Sequence, residues 1–391
     1  MAKVYFTPYG VGLGHASRLV MLAEQLNTAE IAYKFSSSGE AAEYINSLGY
    51  ECNRIPSIEF VWTPEGQFSI TSSIAKIPEY FVNFSKQVNY ELKNLTQFGP
   101  DIVVSDTRLS PIIASKILRI PSIVILNQVK LLLSPRLRRY KVARSFEAIN
   151  GELLGLGWTL TDKILVPDLP PPYTISENSI WGTDSIRNKL KYVGFASPRT
   201  SVTESTLKKV CSDLGLRRDD PVVFIHVSGP METRMPLVRL AMDACRSLKN
   251  NIQYIISAGY PGGDTCPKVL HNRGWLYEWC PVKDELFNLS DLVVIRGGHA
   301  VISQAIKFGK PIVAIPIENH GEQLGNSNKI VSLGLGVAVF ARPLQPVDIS
   351  DAINEVMSES NYHKKALELM RISENLNGIE NIVNVIRTYI K

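Results

Sequence analysis

Apolar and polar positions along this chain switch between two periods, and the switching pattern occurs twice. Short apolar runs at 4–7, 31–35, 102–105 and 122–126 predict strands. Between them, 16–26, 39–48 and 111–118 carry the helical period. In the first of these, Ala16, Leu19, Val20, Ala23 and Leu26 share one face. The pattern restarts with a strand at 221–227, a helix at 235–248, and strands at 252–257, 292–295 and 312–315. Two more helical stretches, 362–376 and 378–390, close the chain. Strands alternating with helices predict parallel sheets joined by right-handed crossovers. The expected class is therefore α/β, with two Rossmann-like doubly wound domains at 1–196 and 204–375. A Ser-, Thr- and Pro-rich linker joins them at 196–203. The terminal segment 376–391 is free to pack back on the first domain. Ligands of such sheets bind at the carboxyl ends of the strands, so facing domains predict a central cleft.

Two domains also follow from length, because 391 residues exceed one ordinary core. A content of 45% hydrophobic and 20% charged residues fits a folded globular chain rather than a disordered one. The net charge of +5 is too small to argue for nucleic acid, and none is expected as a partner. Cys52, Cys211, Cys245, Cys266 and Cys280 are scattered, odd in number and without C-x-x-C pairs. A reduced, cytoplasmic chain without a zinc site follows. The chain runs from Met1 directly into a strand, so no signal peptide is expected. No run of 18 apolar residues predicts a membrane span.

The densest chemistry lies in 296–311. Arg296, Gly297, Gly298 and His299 follow an apolar run and open a helical pattern. A helix start after a parallel strand offers backbone N–H groups to an anion. Glu322, Gln323 and Asn326 follow the next strand and suit a hydroxyl-rich ligand. A phosphate at one end and a sugar at the other is the shape of a nucleotide-sugar. Ser228 and Gly229, after the strand at 221–227, would add amides for a diphosphate. Arg234 reads equally as a phosphate contact or a solvated helix residue, and His226 as core or support.

In the first half, Gly10, Gly12 and Gly14 precede His15 between a strand and a helix. Such glycines allow a tight turn and close approach to a ligand. His15 there reads as a general base, another ligand contact, or a helix cap. The spacing misses the G-x-G-x-x-G dinucleotide fingerprint. Asp106, ending the strand at 102–105, could orient His15 or cap the next helix. Glu59 is a weaker substitute base.

These motifs resemble the GT-B glycosyltransferases, in particular MurG-like and UDP-glycosyltransferase sequences. The resemblance rests on residues 274–281 (GWLYEWCP), Arg296 to Gly298, 309–311 (GKP), Ile315 with Pro316, Glu322 with Gln323, and Asn326. The glycine loop before His15 adds to it, with Gly12 and Gly14 as acceptor-side positions. The chain departs from the family pattern at Gln304 (a glutamate holding ribose hydroxyls), Val301 (Ser or Thr) and Val282 (Gln). The resemblance implies that Trp279 stacks on uracil, that the backbone near Cys280 reads the base edge, and that Gln304 serves the ribose. It implies inversion at the anomeric carbon. Arg296, His299 and helix-start amides would hold the departing diphosphate, and no metal or cofactor is expected.

Six basic residues and no acid lie in 130–144, beside Leu131, Leu132 and Leu133. Val142, Phe146, Ile149 and Leu153 continue at helical spacing. A basic amphipathic stretch is the pattern of an anionic membrane contact over 130–146, or else of an ordinary helix with a solvated charged face. The expected activity is an inverting, metal-independent transfer from a UDP-sugar to a hydroxyl, on a lipid or polyprenyl-phosphate-type acceptor, at the cytoplasmic membrane face. Two rivals share this architecture: a nucleotide-sugar 2-epimerase, and a non-catalytic sugar-nucleotide-binding subunit.

Overall fold

The structure is a computed structural model that describes the chain apart from residues 27–30, 59–75, 131, 134–137, 181–183, 198–201, 218, 250, 272 and 391. Glu59, Leu131 and Arg136 thus lie outside the described residues. The chain forms two compact units, one from residues before the linker together with the last helix, the other from 202–375.

The first unit contains β1 (Ala2–Pro8), α1 (Leu13–Leu26), β2 (Ile31–Ser37), α2 (Gly39–Ser47), β3 (Cys52–Arg54), α3 (Ile77–Phe98), β4 (Ile102–Asp106), α4 (Ser110–Leu118), β5 (Ser122–Ile125), α5 (Lys141–Trp158), β6 (Lys163–Val166), α6 (Glu177–Ile180) and β7 (Leu190–Tyr192). Its sheet is wholly parallel, in the order β3-β2-β1-β4-β5-β6-β7. Strand order reverses between β1 and β4, which pair from Val4 with Ile102 to Pro8 with Asp106. The loops leaving β1 and β4 therefore emerge side by side, where open α/β sheets bind ligands. Both faces of β1 are covered: Val4 and Phe6 pack with α1 and α2, while Tyr5 packs with Leu95 of α3. Burial on both faces explains why β1 reads as a continuous apolar run rather than an alternation.

The second unit contains α7 (Glu204–Leu214), β8 (Val222–His226), α8 (Met231–Cys245), β9 (Gln253–Ser257), β10 (Lys268–Leu270), β11 (Gly274–Tyr277), α9 (Lys283–Leu289), β12 (Leu292–Ile295), α10 (His299–Lys307), β13 (Ile312–Ala314), α11 (Gly321–Ser332), β14 (Gly336–Ala338), α12 (Pro346–Ser358) and α13 (Ser360–Glu374). Its sheet runs β10-β11-β9-β8-β12-β13-β14, with only β10 antiparallel. Order reverses here between β8 and β12, so the loops at 227–230 and 296–298 lie together.

The last helix, α14 (Gly378–Arg387), belongs to the first unit. Ile382, Val383 and Ile386 join Leu19, Leu22 and Leu26 in one buried cluster. Its start is fixed by close backbone approach: a Cβ on Gly378 would lie 2.3 Å from the Gly194 carbonyl oxygen, so only glycine fits. Asn377 caps the helix, its side chain accepting from Glu380 N, and Asn381 Nδ2 donates to Val193 O at 2.8 Å. Because Ile382 is wholly buried, Ile382→Ala costs about 2–5 kcal/mol, read as a lower urea midpoint. Asn384→Ala, on the exposed face of α14, changes stability by less than about 0.5 kcal/mol.

Candidate functional site

In the first unit, Gly10 passes so close to Ser38 that a Cβ would lie 2.1 Å from its Oγ. Gly12 has φ +75 and nothing near its missing Cβ. Gly14 and His15 then fall in the first turn of α1, above the end of β1. His15 Nδ1 lies 2.7 Å from Asp106 Oδ1. Asp106 is fully buried, whereas the His15 side chain is 23% exposed. Arg18, one turn further along α1, closes on the same carboxylate: Nε donates to Oδ2 at 2.7 Å and a terminal nitrogen to Oδ1 at 3.2 Å. Thr107 Oγ1 donates to Oδ1 at 3.1 Å. The carboxyl group is thus saturated with donors.

Burial alone would raise the Asp106 pKa, but the Arg18 guanidinium and then His15 outweigh it and hold the carboxyl below its usual range. An ionised carboxylate only accepts, so the network assigns the proton to His15 Nδ1. The 3.4 Å approach of Arg18 to Nδ1 is then a contact, not a hydrogen bond. Nε2 keeps its lone pair on the opposite side of the ring, available to a proton. The Tyr9 ring meets the imidazole edge-on, with centroids 5.8 Å apart.

Behind this lies a second buried pair that sequence reading does not reveal. Arg108 meets Glu91 of α3 at 2.5 Å and also donates to Ser36 O and Ser110 Oγ. Tyr5 OH and Ser36 Oγ donate to Glu91. The network ties the loop after Asp106 to α3 and β2.

In the second unit, Arg296 ends β12 and is 8% exposed. One terminal nitrogen donates to Thr233 O at 2.7 Å, another reaches Ile315 O at 3.5 Å, and Nε has no partner. Among the described residues no carboxylate pairs with it. Glu318 instead pairs with Arg342 at 3.8 Å, so the alternative of an Arg296 ion pair to Glu318 or Glu322 is not realised. Burial, and then the positive charge of Arg342, pulls the Arg296 pKa down to about 9, which leaves it a cation at neutral pH. A buried cation without an anion is costly.

Gly297 is required by packing: a Cβ would lie 2.3 Å from Gln323 O of α11. Asn326 Nδ2 donates to Gly297 O at 2.9 Å, and Gln323 Oε1 accepts from Ile317 N at 3.0 Å. Both side chains are therefore committed to holding the loop backbone, and the sugar contact expected of Gln323 is open only to its amide nitrogen. Glu322 is partly exposed beside them. Gly298 precedes the first turn of α10, where its missing Cβ meets open space. His299 opens that helix and its carbonyl accepts from Ser303 Oγ at 2.8 Å. Gln304 Nε2 donates to Asp284 of α9, which brings a carboxylate to the position where the family pattern has its glutamate.

Ser228 and Gly229 leave β8, Gly229 with φ +109. Arg234 is not the solvated helix residue that was one reading of its sequence position. It is 3% exposed and donates to Gly229 O and Gly259 O, so it braces the two loops. Burial, with the positive charges of Lys283 and Arg234, pushes the His226 imidazole down to about 3, and it stays neutral. Trp275 and Trp279 are both partly exposed, so Trp275 is not core as its apolar setting suggests. Cys280 is buried and its thiol is pushed up to about 12, chiefly by burial. His320 caps α11, its ring accepting from Gln323 N. Leu132, one of the leucines beside the basic stretch, is 6% exposed and turned inward.

The family described as UDP-glucoronosyl and UDP-glucosyl transferase matches residues 241–377. An uncharacterized glycosyltransferase of Methanosarcina acetivorans is 28% identical over 97% of this chain and 96% of its own length. The human UDP-glucuronosyltransferase 2A3 is 31% identical, but over 27% of this chain and 20% of its own. Among solved structures, the calicheamicin glycosyltransferase CalG4 superposes with a TM-score of 0.68 at 14% identity, covering 99% of this chain and 98% of that one. The spinosyn rhamnosyltransferase SpnG complexed with thymidine diphosphate gives 0.67 at 15% identity, covering 99% of both.

Replacing Asp106 with Asn leaves Arg18 buried without its counter-charge, and the loss is about 3–5 kcal/mol in urea unfolding at pH 7. Because the folded carboxyl has a lowered pKa, its stabilisation is present above the ordinary carboxylate range. It is lost as pH falls through the lowered value, so wild type and Asp106→Asn converge in acid.

Proposed function

We propose, for a chain that belongs to the GT-B glycosyltransferases of the UDP-glycosyltransferase superfamily, that it moves a sugar from a UDP-sugar to a hydroxyl acceptor with inversion. The observation that carries this reading is the buried Arg296 cation beside a helix start, with no anion among the described residues to meet it. A nucleotide diphosphate supplies that anion. Arg296, the amides at Gly297 to His299 and those of the Ser228–Gly229 turn would hold the diphosphate as negative charge develops on it. These groups take the role that a metal fills in other transferases. Gln304 and Asp284 would accept hydrogen bonds from the ribose hydroxyls, Trp279 would stack on the base near Cys280, Glu322 and the Gln323 amide nitrogen would border the sugar, and Asn326 would hold the loop on the phosphate side. The thymidine diphosphate bound in SpnG supports a nucleoside diphosphate as the ligand class.

In the first unit, His15 Nε2 would take the acceptor proton while Asp106 balances the imidazolium that forms. Arg18 keeps Asp106 ionised and oriented, and so acts through it. Gly12 and Gly14 leave room for the acceptor. The acceptor class is a lipid or polyprenyl-phosphate-type headgroup at an anionic membrane surface, supported by the basic residues between 130 and 146.

Two measurements test the reading. His15→Gln lowers transfer by about 100- to 10,000-fold while UDP still raises the melting temperature. Arg296→Met behaves oppositely to most site substitutions: it raises the ligand-free melting temperature, by the order of 1 kcal/mol, and abolishes the shift given by UDP or thymidine diphosphate. Equal nucleotide shifts in both proteins would rule out Arg296 as the diphosphate partner. Chelator leaves the rate unchanged.

A further inference from the structure

The exposed face of α5 carries an apolar ridge. Val142 is 82% exposed, Phe146 51%, Ile149 62%, Leu153 64% and Leu156 57%. Their spacing of four, three, four and three residues keeps them on one side of the helix for about 21 Å. The opposite side, with Glu147, Gly151, Gly155 and Trp158, is the buried one. Trp158 Nε1 donates to Val129 O, and Gly157 packs against Leu109, so α5 is seated by its inner face alone. Monomeric proteins rarely leave such a continuous apolar strip in water.

Charge tells what covers it. Arg139, Tyr140 and Lys141 are exposed at the N-terminal end of the ridge. The Arg139 guanidinium lies 4.8 Å from the Tyr140 ring centroid, the pairing of an interfacial aromatic with a headgroup cation. Arg138 bends back to Glu147, 3.2 Å away, and Glu147 is buried, so that acid does not offset the exposed cations. At the other end, Lys189 Nζ touches Thr159 O at 3.3 Å, and Arg187 lies on the same neighbouring 3-10 turn. Glu152 is the one partly exposed acid between the two ends of α5. An apolar strip bracketed by cations fits acyl chains beneath anionic headgroups. Another protein surface of ordinary composition would not ask for cations at both ends.

We propose that α5 lies flat in an anionic lipid leaflet, with Val142, Phe146, Ile149, Leu153 and Leu156 inserted and Arg139, Lys141 and Lys189 at the phosphates. The inference rests on the lipid-acceptor reading for its purpose, but not for its geometry.

The test is flotation of the full chain with vesicles of phosphatidylcholine alone or mixed equally with phosphatidylglycerol. The wild type floats with the anionic vesicles only, and salt releases it. Phe146→Ser with Leu153→Ser, and separately Arg139→Gln with Lys141→Gln, each lower binding at least tenfold. Both variants melt within a few degrees of wild type, because the replaced side chains face water. Equal binding to neutral vesicles, or a ridge variant that floats like wild type, overturns the proposal. So does a wild-type dimer in sedimentation velocity that the ridge variant dissociates, since a second copy would then cover the ridge. A separate assay of the wild type on detergent-dispersed lipids keeps the two ideas apart. Flotation without lipid product leaves the docking face standing and refutes the lipid acceptor, while product without flotation does the reverse.

Discussion

The buried carboxylate of Asp106 is the constraint on which the first unit's chemistry depends. It has no exposure to water and yet carries charge, because Arg18 and His15 face it from one helix. Removing either partner would leave burial to push the proton back on. The strand order makes the arrangement possible: β1 and β4 are neighbours at the reversal of the sheet, so the helix after one strand looks down on the end of the other. The glycine turn that enters α1 then fixes how near the helix can come. Ionisation of Asp106 in turn decides which imidazole nitrogen bears the proton. Fold, electrostatics and tautomer form a single chain of cause.

The second unit solves the reverse problem. There the charge at the carboxyl end of the sheet is a cation, Arg296, and the described residues provide carbonyl oxygens but no anion. A core selected for stability alone would pair such a group or replace it with an apolar residue. Its place beside helix-start amides is what the proposed diphosphate site requires, with the ligand supplying the anion. The neighbouring polar side chains show the supporting work: Asn326, Gln323 and Arg234 all bind backbone, keeping the loops at 227–230 and 296–298 in place.

The strand–helix alternation was legible because the central strands, such as β4, β9 and β12, are buried on both faces and helices such as α1 have one apolar stripe. The meeting of His15 with Asp106 was legible for a related reason: glycine-rich turns and strand-end carboxylates have fixed places in a parallel sheet. Arg18 was missed although it lies three residues from His15, a spacing that puts both on one helix face. An arginine in a polar stretch looks solvated until its partner is located, and that partner is 88 residues away in sequence. Arg234 and the Glu91–Arg108 pair escaped for the same reason. The long helix α3 follows a stretch with little periodic signal, and only tertiary contacts reveal its role. Leu132 was overread, since local sequence does not say which way an apolar run turns.

Transfer itself is the claim most in need of a direct answer. Purified protein would be incubated with a panel of nucleotide-sugars, a membrane lipid extract and chelator, and the products read by mass spectrometry. A lipid that gains one hexose or N-acetylhexosamine from a UDP-sugar is the predicted result. A donor that is only rearranged, with no lipid modified, would contradict the account and favour epimerisation.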